Sequence, residues 1–293
     1  MFWQQLANAL WLGSVYSLFA LGYTLVLGVL DILNLAHGAV FMWGAFFGLL
    51  AVTRLGLPIW VALPVAMLGA GILGVILDRV AFKPLRRRNA PHLAPIISSI
   101  GASTILVSLA QARFGAQVSR FPLDTLPTAI IEVGPVTLTL LQLIIFALSL
   151  LLMIALQLFM QRSKAGKAMR AVAYSERISA LLGINVDRII VNTFFVSSAL
   201  AGAAGVFLGL AFSAISPFMG APVELKGLTV IILGGLGNIT GAMLAGFLLA
   251  ITEVFSVAYL SSDLRDAITF AVLFLVLLIR PSGLLGKAIE KRA

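Results

Sequence analysis

The chain has 293 residues, 61% hydrophobic and only 11% charged, with a mean hydropathy of +1.10. Soluble domains carry charge on roughly a quarter of their residues, so these values exclude a water-soluble fold and leave one transmembrane domain over residues 1–293. The formal net charge of +9 sits mostly in short segments between apolar runs, a topology signal rather than a nucleic-acid patch, and the absence of cysteine excludes disulfides and thiolate metal sites.

Residues 1–5 lack the cationic region and small-residue cleavage site of a signal peptide, so the first apolar run reads as a retained span. That run covers residues 6–52. At ~1.5 Å per residue it would reach roughly 70 Å, more than twice the hydrocarbon thickness, so it is read as two passes broken around residues 28–38. Within the break, Asp31-Ile-Leu-Asn-Leu-Ala-His-Gly38 sets an acid, an amide and an imidazole beside a glycine. Polar groups at membrane depth are costly unless paired or wet. Two readings stay open: Asn34, His37 and Gly38 line the solute path at an interrupted helix, or Asp31 and Asn34 cap the next helix at the inner surface and His37 bonds locally.

Further spans are predicted over residues 57–77, 93–111, 138–160, 189–212, 242–258 and 267–279, about eight in all. The segment 78–92 carries Arg79, Lys83, Arg86, Arg87 and Arg88, and 161–188 carries Arg162, Lys164, Lys167, Arg170, Arg177 and Arg188, which places both in the cytoplasm. Segment 114–137, with Arg120 against Asp124 and Glu132, suits the opposite side. The amino terminus is then outside. Keeping Arg280, Lys287, Lys291 and Arg292 inside requires one more crossing within residues 223–241, predicted as a short, broken or re-entrant helix. The expected fold is an all-α polytopic bundle.

Segment 161–188 is also the one sizeable non-membrane piece. Ala173, Ile178, Leu181 and Leu182 recur among charges at helical spacing before Gly183, so it reads either as a helix docking a partner or as one lying on the membrane. The tract Leu233-Gly-Gly-Leu-Gly-Asn-Ile-Thr-Gly241 resembles a phosphate loop, but no lysine follows at the required spacing. Gly234, Gly235, Gly237 and Gly241 are read as sharp turns or close backbone packing in preference to solute contact. Glu253 falls near the outer end of a span, which points to a helix-end or snorkelling role. The two histidines, His37 and His92, provide no catalytic set, HExxH or GxSxG among them, so neither catalytic nor metal residues are expected. A secondary carrier would require buried coupling ions or inverted repeats, and the sequence displays neither strongly.

Several ordered motifs resemble the permeases of branched-chain amino acid ABC importers. They are Gly22-Tyr-Thr-Leu-Val-Leu-Gly28 with Asn34-Leu-Ala-His-Gly38, Arg170-Ala-Val-Ala with Ala180-Leu-Leu-Gly-Ile-Asn185, Leu233-Gly-Gly-Leu-Gly237, residues 253–260, and Arg280-Pro-Ser-Gly-Leu-Leu-Gly286. The likeness covers nearly the whole chain and is greatest to the shorter, H-type subunit. Ile239-Thr240 departs from it in lacking a proline.

The resemblance implies a multi-pass subunit of the bacterial inner membrane. Its implied partners are a second, related permease, two cytoplasmic ABC ATPases and a periplasmic solute-binding protein, with ATP and Mg held by the ATPases and no cofactor in this chain. It further implies that Arg170, Ala173, Glu176, Ala180 and Gly183 form the ATPase-coupling element. The solute would be a branched-chain or related amino acid, with urea or short amides, or a carrier not driven by ATP, as the alternatives.

Overall fold

The computed structural model describes residues 1–88, 90–91, 93–122 and 129–286; His92, Asp124, Lys287, Lys291 and Arg292 lie outside the described residues. The helices are α1 (Phe2–Leu30), α2 (His37–Thr53), α3 (Ile59–Leu77), α4 (Lys83–Arg87), α5 (Ala94–Phe114), α6 (Leu140–Arg162), α7 (Lys164–Tyr174), α8 (Glu176–Leu181), α9 (Val186–Ala211), α10 (Gly220–Gly234), α11 (Ile239–Tyr259) and α12 (Arg265–Ile279). Among the described residues six helical stretches are long and apolar enough to cross a bilayer, one being α3 continued through a π turn (Asp78–Phe82) into α4. The 17 residues of α2 and 15 each of α10 and α12 fall below the ~20 needed for an upright crossing. The all-α bundle matches the expectation. Two local differences stand out: the basic segment after residue 78 is largely helical, and a small antiparallel hairpin, β1 (Ile130–Val133) with β2 (Val136–Thr139), precedes α6.

Side chains mark the helix boundaries. Thr139 and Gln142 form a capping box at the head of α6, with the Gln142 N–H donating to Thr139 Oγ1 (3.2 Å) and Gln142 Oε1 accepting from the Thr139 N–H (3.0 Å). Ser163, Ser175, Asn185 and Asn238 cap α7, α8, α9 and α11, each satisfying an orphan N–H of the first turn.

Small residues set the packing. Gly44 on α2 meets the Gly202 backbone on α9, Gly74 on α3 meets Ser198 on α9, and Gly246 on α11 meets Ser17 on α1. Lipid tails are as apolar as leucine, so close backbone approach is what holds such helices together. α1, with a buried central stretch, and α9 form the centre, while α5 stays largely exposed.

The two most extensive helix pairs are α1 with α11 and α3 with α9. Residue contacts along both pairs run antiparallel, and so do those of α1 with α9, where Gly22 meets Ser197 and Trp11 meets Phe212, so α1 and α3 run one way and α9 and α11 the other. The triplets α1–α2–α3 and α9–α10–α11 thus form an inverted repeat in which a long helix, an irregular link, a short helix and a long helix follow in turn. Asp31 (φ 53°) and Ser213 (φ 47°), the non-glycine residues with positive φ among those described, begin the two links. The same step in sequence separates Asp31 from Ser213 and Gly38 from Gly220.

Candidate functional site at the meeting of two half-helices

After Leu30 the chain turns back alongside α1, and α2 starts not at the membrane surface but against the middle of that helix. The His37 ring packs 4.8 Å from Phe19 and 5.1 Å from Tyr23 by centroids. These residues stand roughly 10–17 Å from the end of α1 at 1.5 Å per residue. Residues 31–36 therefore run back along the last three turns of α1 in irregular form. Backbone of that kind persists at membrane depth only inside protein, and here Leu35 N–H donates to Ser99 Oγ of α5 at 3.0 Å.

This placement overturns the inner-surface capping alternative. No side chain caps α2; Asn34 Oδ1 instead accepts from the Ala36 N–H (3.1 Å) in a local turn. Asn34 is 2% and His37 1% exposed, and His37 Nε2 lies 3.4 Å from the Phe19 carbonyl. Gly38 is required by close approach, since a Cβ there would strike the Gly220 carbonyl and Glu224. Its N–H donates to Glu224 Oε2 at 2.7 Å, so the amino ends of α2 and α10 meet in a seam closed by one carboxylate.

Charge concentrates on α10, where the sequence reading gave it no weight. Beside Glu224 stands Lys226, whose Nζ donates to Glu253 Oε1 on α11 (2.6 Å) and to the Tyr16 hydroxyl (3.0 Å), with Arg265 Nε 3.4 Å from the same Oε1. Glu253 is 2% exposed, so the snorkelling assignment is corrected: it is a buried anion held between Lys226, Arg265 and the Tyr16 hydroxyl. The available signal was two ionisable residues at the head of an apolar run; their partners became visible only through the tertiary fold.

The glycine tract and the terminal motif explain each other. Leu284 and Leu285 N–H groups donate to the Leu233 (2.8 Å) and Gly234 (3.2 Å) carbonyls, and Asn238 Nδ2 donates to the Leu285 carbonyl (2.6 Å). Gly235 (φ 101°) packs on Gly286, Gly234 on Gly241 and Gly237 (φ 76°) on Gly28. The clasp borders a vestibule of about 850 Å³ between α1, α6, α7 and the α10–α11 turn, whose lining includes Gly28, Gln157, Arg170, Ala173 and Asn238.

Arg170, Ala173, Glu176, Ala180 and Gly183 all lie exposed on the α7–α8 element. α7 seats Met169 and Val172 inward, and α8 ends near Leu181 and Leu182, 81% and 76% exposed. Among the described residues no group of three or more His, Asp or Glu could hold a metal.

Residues 5–277 match the family model described as branched-chain amino acid transport system / permease component. The chain is 37% identical over 297 residues to the high-affinity branched-chain amino acid transport system permease protein LivH of Salmonella typhimurium, covering 98% of this chain and 96% of that one. It is 38% identical over 296 residues to BraD of Pseudomonas aeruginosa (97% and 95%), and 26% identical over 304 residues to LivM of Escherichia coli (92% and 68%). PsaBC from Streptococcus pneumoniae, solved with a Fab, shares the fold at a TM-score of 0.51 and 13% identity, covering 94% of this chain and 91% of that one. End to end, then, the chain is a member of the branched-chain amino acid transport system permease family.

Proposed function

We propose that this chain is one membrane-spanning subunit of an ATP-driven importer that moves branched-chain aliphatic amino acids into the cell. The observation that carries the reading is the end-to-end similarity to LivH and BraD. A related second permease is its partner, in keeping with the weaker similarity to LivM. Two ATPases bind ATP and Mg and hydrolyse the nucleotide, and a solute-binding protein delivers from outside. The membrane is the bacterial inner membrane, with the amino terminus outside and the carboxyl end in the cytoplasm, as the basic segments require.

In this reading ATP closes the paired ATPases against α7–α8, where Ile178, Leu181 and Leu182 offer an exposed apolar knob. α7 abuts the end of α6, Gly166 packing on the Phe159 and Met160 backbones, so its displacement passes to the spans. Asn34, His37 and Gly38 lie at the seam that opens. Alternating access follows from two arrangements of the half-helices.

The inverted repeat and the Lys226–Glu253 cluster are also features of a secondary carrier, so they do not separate the two readings; the family does. Co-purification from the native membrane in mild detergent tests the choice. The importer reading predicts recovery of two nucleotide-binding subunits and a sister permease. A chain that purifies alone favours the carrier.

A further inference from the structure

Four buried polar atoms of residues around the seam make no hydrogen bond of regular geometry: Glu224 Oε1, Asn34 Nδ2, His37 Nδ1 and the Tyr23 hydroxyl, the last lying close enough to the Glu224 carboxylate to interact with it. Such groups are rare in folded proteins because each carries its full desolvation cost. Their host residues are all at least nine-tenths buried. The nearby cation, Lys226, is committed to Glu253 on the other side of α10, and among the described residues no ion pair involves Glu224. An aromatic wall adjoins the polar atoms, with the Phe19 and Phe41 rings 5.3 Å apart and edge to face. The set is therefore one carboxylate, one amide donor, one phenol and one imidazole beside an apolar surface.

We infer that this seam is a recognition station for a zwitterionic amino acid halfway across the membrane, with Glu224 receiving the α-ammonium group. Asn34 Nδ2 and the Tyr23 hydroxyl donate to the carboxylate, and the aliphatic side chain lies on Phe19 and Phe41. An ammonium–carboxylate contact in a water-poor setting is the strongest single term available, and its partner must be a cation that arrives and departs. Room is made when α2 and α10 part, which breaks the Gly38–Glu224 hydrogen bond and is permitted by the irregular links on either side. The station rests on the importer reading and refines it, making this subunit a reader of amino-acid chemistry in addition to the binding protein.

Glu224→Gln separates recognition from structure, because the amide oxygen still accepts the Gly38 N–H while the charge is gone. In proteoliposomes holding the whole complex and binding protein, Glu224→Gln should lower leucine uptake by about tenfold or more, the change expected for one charge-assisted hydrogen bond. Binding-protein-stimulated ATP hydrolysis should stay within about twofold, so that ATP consumed per solute rises. Tyr23→Phe should lower uptake several-fold in the same manner, and it decides the matter if Glu224→Gln fails to assemble. Uptake and coupling ratio unchanged in the variants that assemble would overturn the station and leave Glu224 as a helix cap. A wild-type complex with no ATP-driven uptake of any aliphatic amino acid would instead contradict the importer reading, and the station with it.

Discussion

Where α2 crosses α9, a Cβ on Gly44 would collide with the Gly202 backbone, which cannot rotate aside as a side chain would. Gly44→Val should cost about 1–3 kcal/mol through overpacking, more if the crossing separates, and appear as a lowered midpoint in thermal unfolding followed by detergent size exclusion. Gly101 on exposed α5 has nothing within 4 Å of an added Cβ, so Gly101→Ala should be neutral or stabilising by up to ~1 kcal/mol. The ion pair behaves differently. Lys226→Met leaves Glu253 only the longer contact to the half-exposed Arg265, so it should destabilise by about 1.5–3 kcal/mol, the scale of a hydrogen bond to a charged group, and Lys226→Met with Glu253→Gln should recover part of the loss. Equal losses in single and double variants would mean that Lys226 contributes through its packing alone. At this scale the sequence was partly legible. Asn34, His37 and Gly38 stand out in the sequence because polar residues interrupt an apolar run, whereas the pairing of Lys226 with Glu253 depends on how a short helix is rotated, which no local pattern encodes.

Helices α1, α3, α5, α6, α9 and α11 could be read from apolar run length, since a bilayer imposes a minimum that few other folds share. The break before α2 was legible from excess length, and the presence of α10 from charge parity, its shortness following from the brief apolar stretch there. The clasp between the glycine tract and the terminal motif was not, because two segments joined by backbone hydrogen bonds leave no side-chain signature beyond their glycines. Gly283 (φ 80°) sits against Gly235 and the Ile232 carbonyl. Ending the chain at Arg280 should therefore expose the α10–α11 turn to limited proteolysis, while a protease-resistant turn would show that the clasp is dispensable. For α7–α8, Leu181→Asp with Leu182→Asp should abolish ATPase co-purification yet leave the permease's unfolding midpoint in place, since both side chains are exposed. Gly183→Val forces a branched residue into positive φ (82°) and should uncouple hydrolysis from uptake.

Over the whole molecule, the inverted repeat turns two unrelated-looking halves into one device, with half-helices that meet head to head at mid-depth. It escaped the sequence because Gly38 and Gly220 are aligned within stretches that otherwise share few residues, and because helix packing constrains size more than identity. The chain has no cysteine, so single cysteines report topology without background. Arg120→Cys should react with an impermeant maleimide from outside, and Lys164→Cys only after the membrane is opened. The reverse pattern would invert the map. The central claim, that this subunit serves an importer powered by ATP, is tested most directly by leucine uptake into proteoliposomes carrying the purified complex and binding protein, with and without ATP on the side of the ATPases. Uptake that needs both ATP and the binding protein is the predicted result; uptake that proceeds without ATP and follows an ion gradient would contradict it.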